Sequence, residues 1–195
     1  DAMNPDPDYS ATYVTIHTSE PKLKGFGIAF TIGKGNDIVA ECIRNYIPIF
    51  DGLSIKEVEK NIGKLWFDCV DHSQLRWLGP EKGVVHLAVS AMFNALWDLI
   101  ARKNQKPLWK FIVDSESETI INWLTFKHIE DVLTPEDAYK IISDNKKFKK
   151  DRINTILKEG YPSYTTAAGW LGYSDKKIID LCKQYMSRGW KHFKV

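Results

Sequence analysis

Cysteine is scarce in this chain, and what there is does not pair by spacing. Cys42, Cys69 and Cys182 are odd in number and far apart, with no Cys-x-x-Cys and no Cys/His zinc spacing. That pattern excludes a disulfide framework and suits a reducing compartment. Long apolar runs are missing too, so nothing reaches the roughly 18 consecutive residues of a membrane span. Excess charge of one sign is absent: 27 basic residues face 25 acidic ones, a net charge of +2. No electrostatic case for nucleic acid or an anionic membrane follows. Neither a signal nor a transit pattern opens the chain, because Asp1 to Asp8 is acidic and Pro-rich. The lack of Met at position 1 reads as a trimmed front. Gly33-Lys34-Gly35 lacks the full glycine spacing and the Lys-Ser/Thr ending of a phosphate loop.

What is present is an ordinary globular composition. The 195 residues are 44% hydrophobic, 27% charged and 12% aromatic, with seven Trp. Such a chain can bury a sizeable core as one large domain or two small ones.

Two strands are expected first, over Ala11–Thr18 and Gly25–Ile32, joined by a hairpin-like turn at Ser19-Glu20-Pro21-Lys22. A helix over 37–48 follows, then helical stretches over 54–61 and 63–72. A long helix begins after Gly79-Pro80-Glu81-Lys82-Gly83 and reaches about Lys103. Val85, Ala88, Met92, Ala95, Leu96 and Leu99 give it one apolar stripe at three- and four-residue steps. A short helical turn at 108–112 closes this part. Beyond it, Thr119–Phe126 reads as a strand buried on both faces. Thr134-Pro135-Glu136 starts a helix, Ser174–Arg188 is amphipathic, and a strand-like segment runs to Val195. Strand, helix, strand is a βαβ unit with parallel pairing.

Specific motifs carry a resemblance. The helix segment with Ala88, Ala91, Ala95, Trp97, Asp98, Ala101 and Arg102, followed by Lys106-Pro107-Leu108-Trp109, resembles the capping-domain signature of the mandelate racemase/muconate lactonizing branch of the enolase superfamily. Within that branch the chain is similar to the L-fuconate dehydratase group. The passages that carry this run from Asp6 to Ala11, from Gln74 to Ala88, from Gly160 to Thr166 and from Gly169 to Asp175. Phe93 and Val113 depart from the usual signature at positions that affect packing rather than chemistry.

The resemblance implies an α+β N-terminal capping domain over 1–114, missing its first strand. It implies that 119–195 is the start of a modified TIM barrel: strand 1, a long insertion, helix 1 and strand 2. A complete barrel needs about 250 residues, so the chain is expected to stop before the barrel is complete. The implied activity is that of a hydro-lyase, an acid-sugar dehydratase converting L-fuconate to 2-keto-3-deoxy-L-fuconate by α-proton abstraction and an enediolate. Mg²⁺ is the implied cofactor, with its ligands beyond residue 195 and none in this chain, and the 195 residues alone are expected to be inactive. A small acid sugar is the implied partner, with no nucleic acid and no membrane, and a homo-oligomer is expected when complete. Location is expected to be intracellular, mitochondrial or cytoplasmic.

Three residues are candidates for the site. Lys194 matches the first Lys of a Lys-x-Lys pair, and the resemblance gives it substrate binding and tuning of the second Lys, the base, which lies beyond the chain end. Two ammonium groups on one strand face disfavour each other's charge, which makes one a usable base near neutral pH. Asp1 and Tyr9 match positions on the loop that covers the substrate, and a carboxylate and a phenol suit sugar hydroxyls. His17, His72, His86, His128 and His192 show no spacing for a metal site or a triad. Gln74-Leu75-Arg76-Trp77 reads as capping-domain structure, and Gly169-Trp170-Leu171-Gly172 as a loop that can reach the barrel mouth. Lys146 to Arg152 reads as a solvated helical start. A second reading stays open: a non-catalytic short product with an assembly or regulatory role.

Overall fold

The computed structural model describes residues 2–3, 5–6, 8–79 and 83–194, without the side chain of Arg76. The chain packs into two compact units, Asp8–Lys147 and a smaller one of Phe148–Val195 with Asp1–Pro7. The expected boundary near 114–119 falls inside the larger unit.

In the larger unit, β1 (Ser10–His17) and β2 (Lys24–Thr31) form an antiparallel hairpin, with Tyr13 opposite Ile28 and Thr15 opposite Phe26. Strand side chains alternate between faces, and here the two faces differ sharply. One is built small, with Gly25, Gly27 and Ala29, because a helix lies directly on it. A Cβ on Gly27 would stand 1.9 Å from the Ala91 carbonyl oxygen. The other face exposes Tyr13, Phe26, Ile28 and Phe30.

That helix is α3 (Val84–Lys103), and its buried residues include Ala88, Val89, Ala91, Ala95, Leu96 and Ile100. It is long and apolar enough to cross a membrane by length and composition alone. Its apolar face instead forms the core between β2, α1 (Asn36–Phe50) and α2 (Ile55–Val70). Residues 54–72, expected as two helical stretches, form the single helix α2. Ser54 caps it in a reciprocal box with Glu57. Tyr46, fully buried on α1, donates its hydroxyl to the Cys69 carbonyl of α2 at 2.9 Å.

The region after α4 (Leu108–Asp114) corrects the sequence reading. Thr119–Phe126 is not a strand: Ser117–Asn122 form a short helix, α5, followed by turns. Short apolar runs are ambiguous between strand and buried helix by periodicity alone, and here packing decides. Trp123 at the end of α5 donates its indole N–H to the Glu59 carbonyl of α2 at 3.0 Å. Its ring stacks on Phe111 and meets Trp97 edge-on. Gly63 lets the Asn122–Trp123 backbone come close, since a Cβ there would be 2.6 Å from the Asn122 carbonyl oxygen. Then α6 (Pro135–Asn145) starts at Thr134, which forms a capping box with Asp137.

In the smaller unit, α7 (Lys149–Glu159) and α8 (Asp175–Ser187) flank an extended stretch from Gly160 to Thr165.

Candidate active site

The terminal segment finds its partner at Thr165. The Thr165 N–H donates to the His192 carbonyl at 3.0 Å, and the Lys194 N–H donates to the Thr165 carbonyl at 2.9 Å. Thr165 and Phe193 thus form a parallel bridge. Parallel neighbours need a crossover connection, and α8 supplies it, starting from Ser174, whose hydroxyl accepts from the Lys177 N–H. The strand expected at Thr119–Phe126 takes no part in this pairing. The extended segment that pairs with the terminal one is at Thr165.

The bridge sorts the side chains by face. Thr165 is buried, with its Oγ1 accepting from the Ala167 N–H at 3.2 Å, and Phe193 beside it is half-buried. Tyr164, Thr166, His192 and Lys194, the neighbours of that pair in sequence, are exposed. Side chains one residue either side of a bridged pair point to the opposite face. Lys194 is therefore exposed next to the half-buried Phe193, as is His192 two residues behind it.

The loop after Thr165 holds the beginning of the chain. The Ala2 N–H donates to the Leu171 carbonyl at 3.0 Å. Gly172 takes a φ of +90°, a left-handed conformation that disfavours a Cβ. A Cβ there would also be 3.1 Å from the Ala2 Cβ. Ala2 is thus held against the Gly169–Gly172 loop, on which Trp170 and Leu171 are exposed. Asp1 itself lies outside the described residues. Tyr9 belongs to the larger unit, where it is exposed and its ring lies 5.7 Å from that of Phe30.

Comparison with known proteins gives this arrangement its context. No family model matches the chain. Over 196 aligned positions, spanning the whole chain, it is 43% identical to mitochondrial enolase superfamily member 1 of Xenopus laevis and 44% identical to that of Homo sapiens. It is 41% identical over its whole length to an L-galactonate dehydratase of Hypocrea jecorina. A crystal structure of human mitochondrial enolase superfamily member 1 matches the entire chain with a TM-score of 0.93 at 44% identity. The chain belongs to the enolase superfamily. It spans 44% of the length of the animal relatives and 43% of the fungal one, and 44% of the crystallised human chain.

The remaining candidates can be placed within this enolase-superfamily chain. Among the described residues no three His, Cys, Asp or Glu side chains converge to hold a metal. The described residues therefore supply no Mg²⁺ site of their own. His86 sits in the first turn of α3, with its ring edge-on to Trp66 and its Nδ1 buried without a partner. It lines a cleft of about 210 Å³ with Phe67, Val70, Lys127 and His128. Lys146 pairs with Glu116 at 2.6 Å, and Lys149 to Arg152 open α7. Lys194, singled out from the sequence, is exposed at the end of the described chain. The adjacent pair Thr165-Thr166 carries no spacing signal, and only the bridge shows that one threonine is buried and the other open.

Proposed function

We propose that this chain is the N-terminal portion of a Mg²⁺-dependent acid-sugar dehydratase, with residues 1–114 as the capping domain. Residues 119–195 would then lead into a TIM-type barrel, whose first β–α–β unit is the segment at Thr165, α8 and the segment ending at Lys194. The observation that supports this reading is the parallel bridge between Thr165 and Phe193, next to which Lys194 is exposed. In TIM-barrel enzymes the site is built from loops at the C-terminal ends of the strands. The full-length match to an L-galactonate dehydratase supports the reaction class.

The reaction is a β-elimination. A base removes the proton on C2, the hydroxyl on C3 leaves as water after taking up a proton, and the enol tautomerises to the 2-keto-3-deoxy acid. In this proposal Lys194 binds the substrate carboxylate and lowers the pKa of the base two residues on. Asp1 and Tyr9 hold sugar hydroxyls from the covering loop. Mg²⁺ is the proposed cofactor, which when bound would supply Lewis-acid chemistry, with its ligands beyond residue 195. L-fuconate is the proposed substrate, and it differs from L-galactonate only in lacking the C6 hydroxyl. The apolar outer face of Tyr13, Phe26, Ile28 and Phe30 supports packing against further polypeptide, as does the expected homo-oligomer. The animal relatives are mitochondrial by name, which supports a mitochondrial location.

The test is a coupled 2-keto acid assay on the full-length protein with L-fuconate and L-galactonate, with and without EDTA. The expected result is EDTA-sensitive turnover that falls by at least about a hundredfold in Lys194→Ala, the scale seen when a positioned charged group is lost. Unchanged turnover in Lys194→Ala would overturn the site assignment, and no turnover of any acid sugar would overturn the dehydratase reading.

A further inference from the structure

We infer that the outer face of the β1–β2 hairpin is the surface through which two copies of this protein pair about a two-fold axis. This rests on the homo-oligomer expected above and names the surface that builds it. An antiparallel sheet with one packed face ordinarily presents polar side chains on the other, and this hairpin departs from that pattern. Its inner face is filled by α3, which lies against Gly25 and Gly27. Its outer face carries Tyr13, Phe26, Ile28 and Phe30 at 76%, 48%, 44% and 57% exposure. From Ala11 to Thr15 and from Phe26 to Phe30 neither strand holds a charged residue, so two copies of this face meet without like-charge repulsion. Charge stands at the border instead. Lys24 lies opposite His17 at one end, and Arg102, paired with Asp98, lies over the Phe26 ring 5.0 Å from its centre. An apolar, aromatic centre within a charged rim is the anatomy of a protein–protein interface.

The face is also shaped to fit itself. Phe26 sits opposite Thr15, Ile28 opposite Tyr13 and Phe30 opposite Ala11. So β2 raises a ridge of large side chains, while β1 offers small ones at the two levels where the phenylalanines stand. A two-fold axis running along the strands, between two stacked copies, places β2 of one over β1 of the other at the same level. Phe26 then meets the partner's Thr15 and Phe30 meets the partner's Ala11, with Ile28 and Tyr13 closing the centre. Such a pairing is isologous, and every contact in it is made twice. This match of the face to itself selects a second copy as its occupant. The area agrees. With about 150–250 Å² for a large aromatic side chain, the four residues present about 500 Å² on each copy at their exposures, and a pair buries about 1,000 Å², where stable interfaces begin.

The experiment measures the mass of the full-length protein in solution, by sedimentation over a concentration series, for the wild type, Ile28→Lys and Thr15→Trp. The wild type should be a dimer or a larger even-numbered assembly. Ile28→Lys puts a charge into the apolar centre, and the axis counts it twice, so the Kd of the pair should rise by about a hundredfold or more. Thr15→Trp adds apolar surface but fills the place that Phe26 takes. It should weaken the pair too, whereas a non-specific patch would associate more strongly. Both positions are exposed, so far-UV circular dichroism should stay that of the wild type. A wild-type monomer over the whole series would overturn the inference together with the expected homo-oligomer. An assembly that keeps its mass in both variants, or that Thr15→Trp strengthens, would overturn this surface and leave the homo-oligomer standing. Should Ile28→Lys not fold, an unchanged assembly in Thr15→Trp alone would overturn it equally. The dehydratase reading is decided separately by the 2-keto acid assay and survives any of these results.

Discussion

Gly27 on β2 and Ala91 on α3 meet backbone to backbone, so closely that a methyl group on Gly27 would stand 1.9 Å from the Ala91 carbonyl oxygen. No rotamer change can relieve that contact, because the opposing atom belongs to the helix backbone. Gly27→Ala must push α3 off the sheet and should destabilise the larger unit by about 3 kcal/mol or more, the upper range for overpacking. A urea midpoint within error of wild type would contradict this.

Tyr46 ties two helices together from inside the core. Its hydroxyl satisfies the Cys69 carbonyl, and burial pushes the phenol pKa well above its ordinary value, with the nearby Cys42 and Cys69 adding to that. Tyr46→Phe keeps the ring but orphans a buried carbonyl, at a cost of about 1–3 kcal/mol. The check is chemical denaturation, with intact far-UV circular dichroism confirming that the fold persists.

Thiol chemistry should follow burial. Cys69 is fully buried, and desolvation pushes its thiol up to about 12; Cys42 is raised by the same cause. Since the thiolate is the reactive form, neither should react with a disulfide reagent at pH 8 in the native state, and both should react in urea. Rapid native labelling of Cys69, read by peptide mass, would contradict the packing of α2.

Acid should weaken the larger unit through specific carboxylates. Asp114 is held well below the usual carboxylate range by hydrogen bonds from Lys110 and Lys106. Asp137 is lowered by Thr134, and Glu57 by Ser54. A carboxyl group with a depressed folded pKa adds stability above its unfolded pKa and loses it as pH falls toward the folded value. Stability should therefore hold between pH 5 and 7 and decline below about 4, near the ordinary carboxylate pKa. Asp114→Asn should flatten part of that decline. Denaturation midpoints measured from pH 7 to 3 decide it, and an identical slope in the variant would remove Asp114 from the account.

The hairpin, α1, α3 and α8 were legible because alternation and three-to-four spacing report one-sided burial directly. Residues 54–72 were not legible as one helix, since Gly63 looks like a break until Trp123 is seen lying against it. Thr119–Phe126 misled for a related reason. Its apolar run has the length and content of a buried strand, and only the reach of Trp123 to Glu59, 64 residues back, makes it helical. At the candidate site, Lys194 could be reached through the family resemblance alone, while the pairing of residues 165 and 193 could not be read from the sequence. Asp1 lies outside the described residues, and its proposed role comes from the resemblance.

The hairpin has one closed border. The Phe26 N–H points away from β1 and donates to the Asp98 carboxylate at 2.9 Å, while Arg102 grips that carboxylate at 2.7 Å and lies over the Phe26 ring. A charged clasp on β2 occupies the donor that an incoming strand would use. The sheet is thus directional: growth on the β2 side must first break the clasp, while β1 can accept a neighbour without that penalty. Any strand that joins it, from this chain or another, is steered to β1, and its register would be read off Ser10 to His17.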